Sequence, residues 1–456
     1  MRRFILVCAF LLHAPAWAAP VSQAIKLDHF GYRPNDSKIA IFSQNPGASV
    51  QLRDSADQVV FTIPPGSIQA KGYDGPPSGD TVWWVDFSAF TTPGTYRLFS
   101  PALASQSYDF TIALDVYNPV VLAALKTFYY QRCNTPKPAV YAGAWADPQA
   151  CHLTDKTTTH AAGHADHGIL DLGGGWHDAG DYNKYVWAAA ANAIIGLLQA
   201  YEDNPGHFRD GDLNIPESGN GVPDILDEVK WELDWFLKMQ LADGSVLYQT
   251  HVDGFASNAP PSADANVRYY QNPTLESGAV FAGSLALAAR VYAAAGMTVY
   301  ADQLKTAALK TWSWLQTQGD SEHKAWAAAE VFRTAGTASA RAYVDGFHAN
   351  QWAGVFFDPG HYDVHAAVTY LQAPGATAAV VNQMRADFAA LVDRIFSVND
   401  LYRNGIQDWS YHWGTNAIRA WYGIMLLNAA KLGATGGQSA AACRLHAQDF
   451  LHFFRP

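Results

Sequence analysis

The stretch GGGWHDAGDYNKYV, residues 173–186, places three glycines, a histidine and two aspartates immediately before a long helical pattern. The glycines permit a tight backbone turn, so the short carboxylates of Asp178 and Asp181 can approach one water molecule. Hydrolysis of a glycosidic bond uses two carboxyl groups, one to take a proton from water and one to protonate the leaving oxygen. Two aspartates this close would share the first role, because the acid must lie across the substrate. Alternatively, Asp181 caps a helix that begins near Asn183, and Asp178 binds a backbone amide.

Downstream of Tyr117 the apolar residues recur with the period of an α-helix. In residues 223–240 they repeat at i, i+3 and i+4 with charges between them, and Pro223 suits the first turn. Eleven helices are predicted. The clearer ones span 119–132, 184–202, 223–240, 276–295, 300–317, 325–334, 379–397, 416–432 and 439–454, and weaker ones lie near 338–349 and 360–372. Many helices joined by loops favour a toroid of paired helices over a four-helix bundle, although such a toroid needs an even number of helices.

Residues 23–113 have a different pattern, in which short β-type runs alternate with turns rich in Pro, Gly, Asn and Asp. The runs are 39–42, 50–52, 59–61, 82–87, 96–99 and 108–112. Evenly spaced short strands over about 90 residues indicate a small β-sandwich. No residue in this segment points to catalysis.

The first 18 residues, MRRFILVCAFLLHAPAWA, have the pattern of a secretory signal peptide, in which Arg2 and Arg3 precede an apolar run and a small-x-small cleavage site. We therefore expect a secreted or periplasmic protein. The chain has a net charge of −11, and losing the two arginines makes it more acidic. We expect no nucleic-acid or membrane partner, because the charge is unfavourable and no other segment approaches the length of a membrane span. A neutral polymer is the better candidate, and the 15 Trp, 22 Tyr and 23 Phe residues would supply sugar-binding rings as well as core.

Several segments resemble glycoside hydrolase family 9, the inverting endoglucanases and related β-glucanases. In chain order they are FYYQRC (128–133), CH (151–152), GGWHDAGDYNKYV (174–186), NGVPDILDEVKW (220–231), KMQ (238–240), WAAAEVFR (326–333) and YHWGTNA (411–417). The segment IKLDHFGYRPND (25–36) resembles the immunoglobulin-like domain that often precedes that catalytic domain. The resemblance implies a mainly α fold, with an (α/α)6 barrel over residues 115–456 preceded by an immunoglobulin-like β-sandwich over residues 19–114. It also implies that Asp181 is the general base and that Asp178 helps to hold the nucleophilic water.

The resemblance stops early at the C-terminus. In the family, a helix similar to AQDFLHFF (447–454) leads to a substrate-binding segment and then to the glutamate that acts as general acid, whereas this sequence ends at Arg455-Pro456. With eleven of the twelve helices of an (α/α)6 barrel, we expect a truncated barrel with little or no turnover. Should the chain be active nevertheless, Glu330 and Asp408 are the first candidates for the acid.

Three cysteines remain after the signal segment, which contains Cys8. In an exported protein the ordinary expectation is a Cys133–Cys151 disulfide with Cys443 free. The alternative, which we favour, is a structural zinc site, because two sulfur and two imidazole ligands suit a tetrahedral ion. Its ligands would be Cys133, Cys151, His152 and His177, with His160, His164 and His167 as competing imidazoles. Relatives with the immunoglobulin-like module often carry zinc at the corresponding positions, so the resemblance implies the same site, which would hold the aspartate loop.

A second metal is predicted in the segment that follows the next helix. Oxygen ligands alternate there as in a calcium loop, at Asp210, Asp212, Asn214 and Glu217. The segment lacks the glycine and the distant glutamate of an EF-hand, and a solvated acidic loop is the alternative. Family members often bind calcium near this segment, so the resemblance favours calcium.

Aromatic residues in the loop before the helix at 416–432 are the candidate sugar-stacking platforms, namely Trp409, Tyr411 and Trp413, with Tyr269 and Tyr270 as weaker candidates. The predicted function is hydrolysis of β-1,4-glucosidic bonds in cellulose or related β-glucans by inversion, with acid and base about 6.5–9.5 Å apart. One alternative is a catalytically silent glucan-binding protein, which would bind without turnover. Another is a different (α/α)6 hydrolase that acts on another polysaccharide.

Overall fold

A computed structural model describes residues 19–252, 254, 258–351, 361–398, 400–406, 411 and 414–453. These residues form two compact units. The first unit comprises the described parts of residues 1–116, 396–423 and 444–456, and the second those of residues 117–395 and 424–443. The predicted signal peptide lies outside the described residues. The predicted limits of 19–114 and 115–456 stay a prediction, because the contacts assign two late segments to the first unit.

The first unit contains two antiparallel sheets. Their strands are β1 (Ile25–Lys26), β2 (Ile39–Phe42), β3 (Val50–Asp54), β4 (Val59–Ile63), β5 (Ile68–Tyr73), β6 (Thr81–Asp86), β7 (Gly94–Ser100), β8 (Ser105–Gln106) and β9 (Phe110–Ile112). One sheet has the order β1-β2-β6-β5; the other has the order β4-β3-β7-β8, with β9 also paired to β7. Alternate side chains of both sheets, such as Leu52, Val85 and Leu98, are fully buried in one core. The predicted immunoglobulin-like sandwich is confirmed.

Three strands of the sandwich, the two-residue β1 and β8 and the six-residue β5, were not predicted. β5 lies at the edge of its sheet and pairs only with β6. None of its six residues is buried, and three of them are Gln69, Lys71 and Gly72. An edge strand without a buried face has no apolar alternation, so the pattern that identified the other strands is missing.

The late segments of the first unit pack on the sandwich through polar contacts. The indole nitrogen of Trp84 donates to the Leu401 carbonyl at 2.7 Å. The carboxylate of Asp28, which is 1% exposed, contacts His452 Nδ1 at 3.1 Å. Residues separated by more than 300 positions therefore complete one unit.

The helices are α1 (Gly75–Ser78), α2 (Asn118–Gln131), α3 (Ala139–Ala142), α4 (Ala188–Asp203), α5 (Asp224–Met239), α6 (Leu275–Ala294), α7 (Thr298–Leu315), α8 (Glu322–Ala335), α9 (Ala338–Gln351), α10 (Tyr362–Tyr370), α11 (Ala378–Phe396), α12 (Thr415–Leu432) and α13 (Ala440–Phe453). Apart from the four-residue α1 and α3, the described residues contain eleven helices, the predicted number. Helix α6 packs on α4, α7 and α8, and α8 packs on α10. This succession of helices agrees with the predicted helical barrel.

Helix α5 shows why the sequence forms these elements. Pro223 precedes it, and Asp224 and Asp227 lie in its first turn, where carboxylates favour the positive end of the helix. Its apolar residues form one buried face. Helix α6 is apolar and buried around most of its circumference, apart from Glu276 and Arg290, and 83% of its most apolar stretch lies inside the protein. By length and composition α6 could cross a membrane, so the expectation that no segment after the first 18 residues approaches that length is wrong, but the burial of α6 is that of a core helix.

A small sheet beside the helices corrects one predicted boundary. It consists of β10 (Thr159–His160), β11 (Lys184–Tyr185), β12 (Gln249–His251) and β13 (Tyr269–Tyr270), in the order β10-β13-β12-β11. The helix predicted at 184–202 starts at Ala188, because residues 184 and 185 pair with β12 and Trp187 is extended. The Lys184 amine, which donates to the carbonyls of Leu172 and Gly174 at 2.8 Å, holds this strand in place.

Candidate active site

The aspartate loop is fastened to the segment that carries Cys133. Arg132 and Trp176 form an antiparallel bridge. The Cys133 amide donates to the Gly175 carbonyl at 2.8 Å, and the His177 amide donates to the Gln131 carbonyl at 2.9 Å. The candidate metal ligands and the candidate catalytic residues therefore lie on hydrogen-bonded neighbouring segments.

Gly175 sets the path of this loop. Its φ of +76° lies in the left-handed region. A Cβ atom at this position would lie 2.8 Å from the ring of Trp235. Only glycine fits both the backbone conformation and the close approach of the indole.

Asp181 is a buried carboxylate that Asn183 holds in place. Its side chain accepts the Asn183 amide at 3.2 Å and the Asn183 side-chain NH₂ at 2.7 Å. The Asn183 side-chain oxygen accepts the Val252 amide at 2.9 Å, which ties the pair to the strand region behind it. The alternative role of Asp181 as a helix cap is wrong, because α4 starts at Ala188 without a side-chain cap.

Asp178 is exposed on one side and partly buried on the other. Partial burial raises the pKa of the Asp178 carboxyl, and the nearby charge of Asp181 raises that pKa further. The structure therefore brings the two predicted aspartates into electrostatic contact. One is fixed and buried, and the other faces solvent.

Three aromatic side chains that were not predicted from the sequence accompany the aspartates. The rings of Tyr185 and Trp187 lie 5.1 Å apart, and those of Tyr185 and Tyr248 lie 6.2 Å apart. All three are partly exposed. Burial raises the pKa of Tyr185, and the charges of Asp181 and Asp178 add to the rise, so this ring lies beside both carboxylates. The helix predicted at 184–202 included Tyr185 and Trp187, although their alternate spacing in YVW indicates an extended segment.

The predicted sugar platforms lie elsewhere in the chain. Trp409, Trp413 and the candidate acid Asp408 are outside the described residues. Tyr411 belongs to the first unit, and its hydroxyl donates to Asp400 at 3.1 Å. Of the weaker candidates, Tyr270 is fully buried and donates to the Gly168 carbonyl, so it is a core residue.

Cys133, Cys151, His152 and His177 converge as predicted. One ligand atom from each lies within 4.8 Å of the others, and all four residues are buried. The two sulfurs are 3.8 Å apart, with Cys133 Sγ 3.9 Å from His152 Nδ1 and Cys151 Sγ 3.7 Å from His177 Nε2. A zinc tetrahedron with Zn–S of about 2.3 Å and Zn–N of about 2.0–2.1 Å has edges of about 3.4–3.8 Å. The donor set and its spacing fit zinc, and both thiols are free of a disulfide.

Buried charges support these ligands. His152 Nε2 lies 3.0 Å from the Asp264 carboxylate, so its proton is on Nε2 and Nδ1 is free to ligate. Burial alone would raise the pKa of the Cys133 thiol, but the hydrogen bond from Cys151 and the charges of Lys184 and Arg268 lower it well below the usual range. Burial also lowers the pKa of His177 to about 4. These shifts favour the thiolate of Cys133 and the neutral imidazole of His177, whereas the hydrogen bond with Cys133 and burial raise the pKa of Cys151, so a bound metal would have to displace that proton.

Two of the three competing imidazoles have polar partners elsewhere. His160 Nδ1 lies 3.4 Å from Asp166 on the surface. His164 Nδ1 accepts the Asn272 amide at 3.1 Å. His160, His164 and His167 do not belong to the cluster.

The predicted calcium ligands each have a protein partner. Asp210 accepts the amides of Gly219 and Gly221, Asp212 accepts that of Arg209, Asn214 donates to Val140, and both oxygens of Glu217 accept from Arg132. Among the described residues, the clusters of three or more ligating side chains do not include Asp210, Asp212 and Glu217. Calcium in this loop stays a prediction, and it would have to displace the Arg132–Glu217 pair.

Glu330, the other candidate acid, is unsuited to that role. It is 1% exposed, and its oxygens accept from Arg290 at 2.8 Å and from Thr369 at 2.6 Å. A carboxylate enclosed in this way has no path to a leaving sugar oxygen.

The sequence model of glycosyl hydrolase family 9 matches residues 117–452, about three quarters of the chain. The chain belongs to glycosyl hydrolase family 9. A model of the cellulase N-terminal immunoglobulin-like domain matches residues 21–105. Family 9 membership agrees with the resemblance found in the sequence motifs, and the two models together cover residues of both units.

Among the relatives of this family 9 chain is endoglucanase D of Acetivibrio thermocellus, which is 29% identical over 425 residues. The match covers 86% of this chain and 65% of the relative, so the chain spans slightly less than two thirds of that protein. A metagenome-derived family 9 endoglucanase has a similar structure, with a TM-score of 0.79 and 28% identity, over 92% of this chain and 82% of that one. A zinc-binding triple mutant of a family 9 endoglucanase matches with a TM-score of 0.78 and 29% identity, over 92% and 81%.

Proposed function

We propose that this family 9 protein hydrolyses β-1,4-glucosidic bonds of a β-glucan with inversion. The position of Asp181 carries the proposal, because its buried carboxylate, fixed by Asn183, lies beside the solvent-facing Asp178. Asp181 would accept the proton of the attacking water, and Asp178 would orient that water. The rings of Tyr185, Trp187 and Tyr248 offer apolar faces on which a sugar can stack.

The general acid is not assigned to any described residue, and for that reason the second candidate function is a glucan-binding protein without turnover. The two candidates differ in one observable. An enzyme releases reducing ends, whereas a binding protein retains the polymer unchanged.

The test uses the full chain with carboxymethyl cellulose, mixed-linkage β-glucan and xyloglucan as substrates. We expect reducing ends to be released only slowly, because no described residue is assigned as the general acid, with the α-anomer formed first as judged by NMR. Asp181→Asn should lower kcat by about 10²–10⁴-fold while cello-oligosaccharide binding persists. Asp166→Asn, which changes an exposed aspartate beside His160, is the matched control.

Each outcome of this test has a definite meaning. Binding without turnover by the unmodified chain would support the silent glucan-binding protein. Turnover that survives Asp181→Asn would exclude Asp181 as the base. Activity confined to another class of polysaccharide would point to a different hydrolase of the same fold.

We also propose that Cys133, Cys151, His152 and His177 hold one structural zinc. The ion would contribute binding energy to folding and no step of the reaction, and it would tie the Cys133 segment to the aspartate loop. Metal analysis of purified protein should find about one zinc per chain. A Cys133–Cys151 disulfide seen by mass spectrometry of the non-reduced protein would refute the site.

Export by the first 18 residues belongs to the same proposal, because a β-glucan polymer lies outside the cytoplasm. Fractionation of a producing cell should locate the mature chain, beginning near residue 19, in the periplasm or medium. Recovery of the uncleaved chain in the cytoplasm would contradict it.

A further inference from the structure

A second cluster of metal-binding side chains lies at the first turns of two neighbouring helices. Glu322 is the first residue of α8, His361 precedes α10, and Asp363 is the second residue of α10. One ligand atom from each lies within 4.8 Å of the other two. The cluster shares no residue with the cysteine–histidine group, and the proposed hydrolysis does not use it.

The spacing of the cluster matches a single ion. His361 Nδ1 and a carboxylate oxygen of Glu322 are 3.0 Å apart. Adjacent ligands of an octahedral ion with bonds of about 2.1 Å are about 3.0 Å apart, and opposite ligands are about 4.2 Å apart. A cation therefore fits among the three donors.

Asp363 supplies an independent sign of a missing partner. The residue is only 6% exposed. Its carboxylate accepts backbone hydrogen bonds from the adjacent Val364 amide, at 2.7 Å, and from its own amide, and among the described residues it forms no ion pair with lysine or arginine. Burial of a carboxylate without a cation is costly, and its ligand atom faces Glu322 and His361.

The surrounding charge also favours a cation. Glu276 in the first turn of α6 lies 3.8 Å from His323 Nε2 and adds a third carboxylate to the region. Lys324, the nearest lysine in sequence, turns its amine to the carbonyls of Gln318 and Gly319 instead. Among the described residues the carboxylates of this region are thus offset only by imidazoles.

We propose that Glu322, His361 and Asp363 bind one divalent cation of the manganese or zinc class. One imidazole and two carboxylates form a mixed nitrogen–oxygen donor set, which suits such ions better than calcium or soft Cu(I). The His361 side chain is 52% exposed, so water can reach the remaining coordination positions. The ordinary alternative is an ion pair of His361 with Glu322 and no metal.

The test is a titration of the chelator-treated full chain with Mn²⁺, in which electron paramagnetic resonance reports the free ion. Mn²⁺ avoids thiolate sites, so the cysteine group does not compete. We expect one saturable site per chain. Glu322→Gln and His361→Asn should each weaken it by at least about ten-fold, and Asp363→Asn provides a third ligand change. His160→Asn, at an exposed histidine–carboxylate pair, is the matched control and should leave it unchanged.

Circular dichroism and the thermal midpoint of each variant show whether it is folded, and only folded variants are compared. Glu322→Gln preserves size and lies at a partly exposed position, so it keeps the test available if the buried Asp363 change does not fold. Absence of saturable Mn²⁺ binding in the unmodified chain would overturn the proposal. So would saturable binding that Glu322→Gln and His361→Asn leave intact, because the ion would then lie elsewhere.

Discussion

At the scale of single residues, Asp264 orients one candidate zinc ligand. It is buried, and its carboxylate lies 3.0 Å from His152 Nε2, which fixes the proton on that nitrogen. Asp264→Asn removes the negative charge beside the His152 imidazole and preserves the size of the side chain at position 264. Zinc affinity, measured by competition with a chromophoric chelator, should fall about 10–100-fold. Asp166→Asn, the control, alters a carboxylate in an exposed histidine–aspartate pair and should leave the zinc affinity unchanged. Equal zinc affinities of the unmodified chain and both variants would show that Asp264 does not support the zinc site.

Glu232 makes the stability of the protein dependent on pH. It is 1% exposed, and burial raises its pKa to about 8, although the Trp176 amide donates to it at 2.6 Å. Because the folded pKa lies above the unfolded one, the stabilisation is complete below about pH 4 and is lost as the pH rises through 8. Relative to Glu232→Gln, the free energy of unfolding should fall by up to about 1.4 kcal/mol per pH unit between pH 5 and 7.5.

Glu202→Gln is the matched control for this prediction, because its shift has the opposite sign. Despite burial, Arg290 lowers the pKa of Glu202, so its contribution is present at neutral pH and is lost as the pH falls. Urea denaturation of the three proteins at several pH values measures both slopes. Parallel stability curves for the unmodified chain and Glu232→Gln would refute the prediction.

At the scale of elements, the close contact of Gly175 with Trp235 determines how the aspartate loop turns. Gly175→Ala must adopt a left-handed backbone and also displace the indole, so it should destabilise the protein by about 2–5 kcal/mol. Gly168→Ala has a similar φ of +86° with open space around the added methyl group. It should therefore show only the backbone cost of about 1–2 kcal/mol.

The difference between the two alanine variants isolates the clash with Trp235. Thermal and urea unfolding give both values, and turnover reports whether the loop moves. Equal destabilisation by Gly175→Ala and Gly168→Ala would mean that displacing the Trp235 indole costs no free energy of folding.

Local sequence patterns were sufficient to predict most of the helices and strands. Helix α5 was predicted within one residue at each end, because a 3.6-residue period and its first-turn residues are written into the same segment. Strand β5 was missed because an edge strand without a buried face has no alternation. The start of α4 was misplaced because a pairing partner some sixty residues away keeps Lys184 and Tyr185 extended.

Only those residues of the candidate site whose types are uncommon and chemically distinctive could be predicted from the sequence. Cysteines, histidines and paired aspartates are rare enough to be noticed, and the four soft ligands do converge. The buried charged residues that surround these ligands could not be predicted. The Asp155 carboxylate forms ion pairs with Lys184, at 2.9 Å, and with Arg268. These partners lie 29 and 113 residues from Asp155 in the sequence. No spacing rule connects residues that meet only after folding.

At the scale of the whole molecule, the first unit depends on residues from both ends of the chain. Asp28 and His452 are in contact although they are 424 positions apart, and the ring of His452 lies 4.7 Å from that of Tyr32. In a double-mutant cycle with Asp28→Asn and His452→Gln, we expect a coupling energy of about 0.5–3 kcal/mol in urea denaturation.

The exposed ion pair between Arg53 and Asp57, at 3.2 Å, serves as the control cycle for this contact. Its coupling should not exceed about 0.5 kcal/mol, because water and salt screen an exposed pair. Additive effects of the Asp28 and His452 changes would show that the two ends are energetically independent.

The ribosome delivers these two ends far apart in time. At synthesis rates of about 5–20 residues per second, some twenty seconds or more separate the emergence of Asp28 from that of His452. During that interval the sandwich strands can pair. The polar groups that the late segments later cover remain exposed to solvent. A nascent chain stalled before residue 444 should therefore present a sandwich that proteases cut readily, and release of the complete chain should close it.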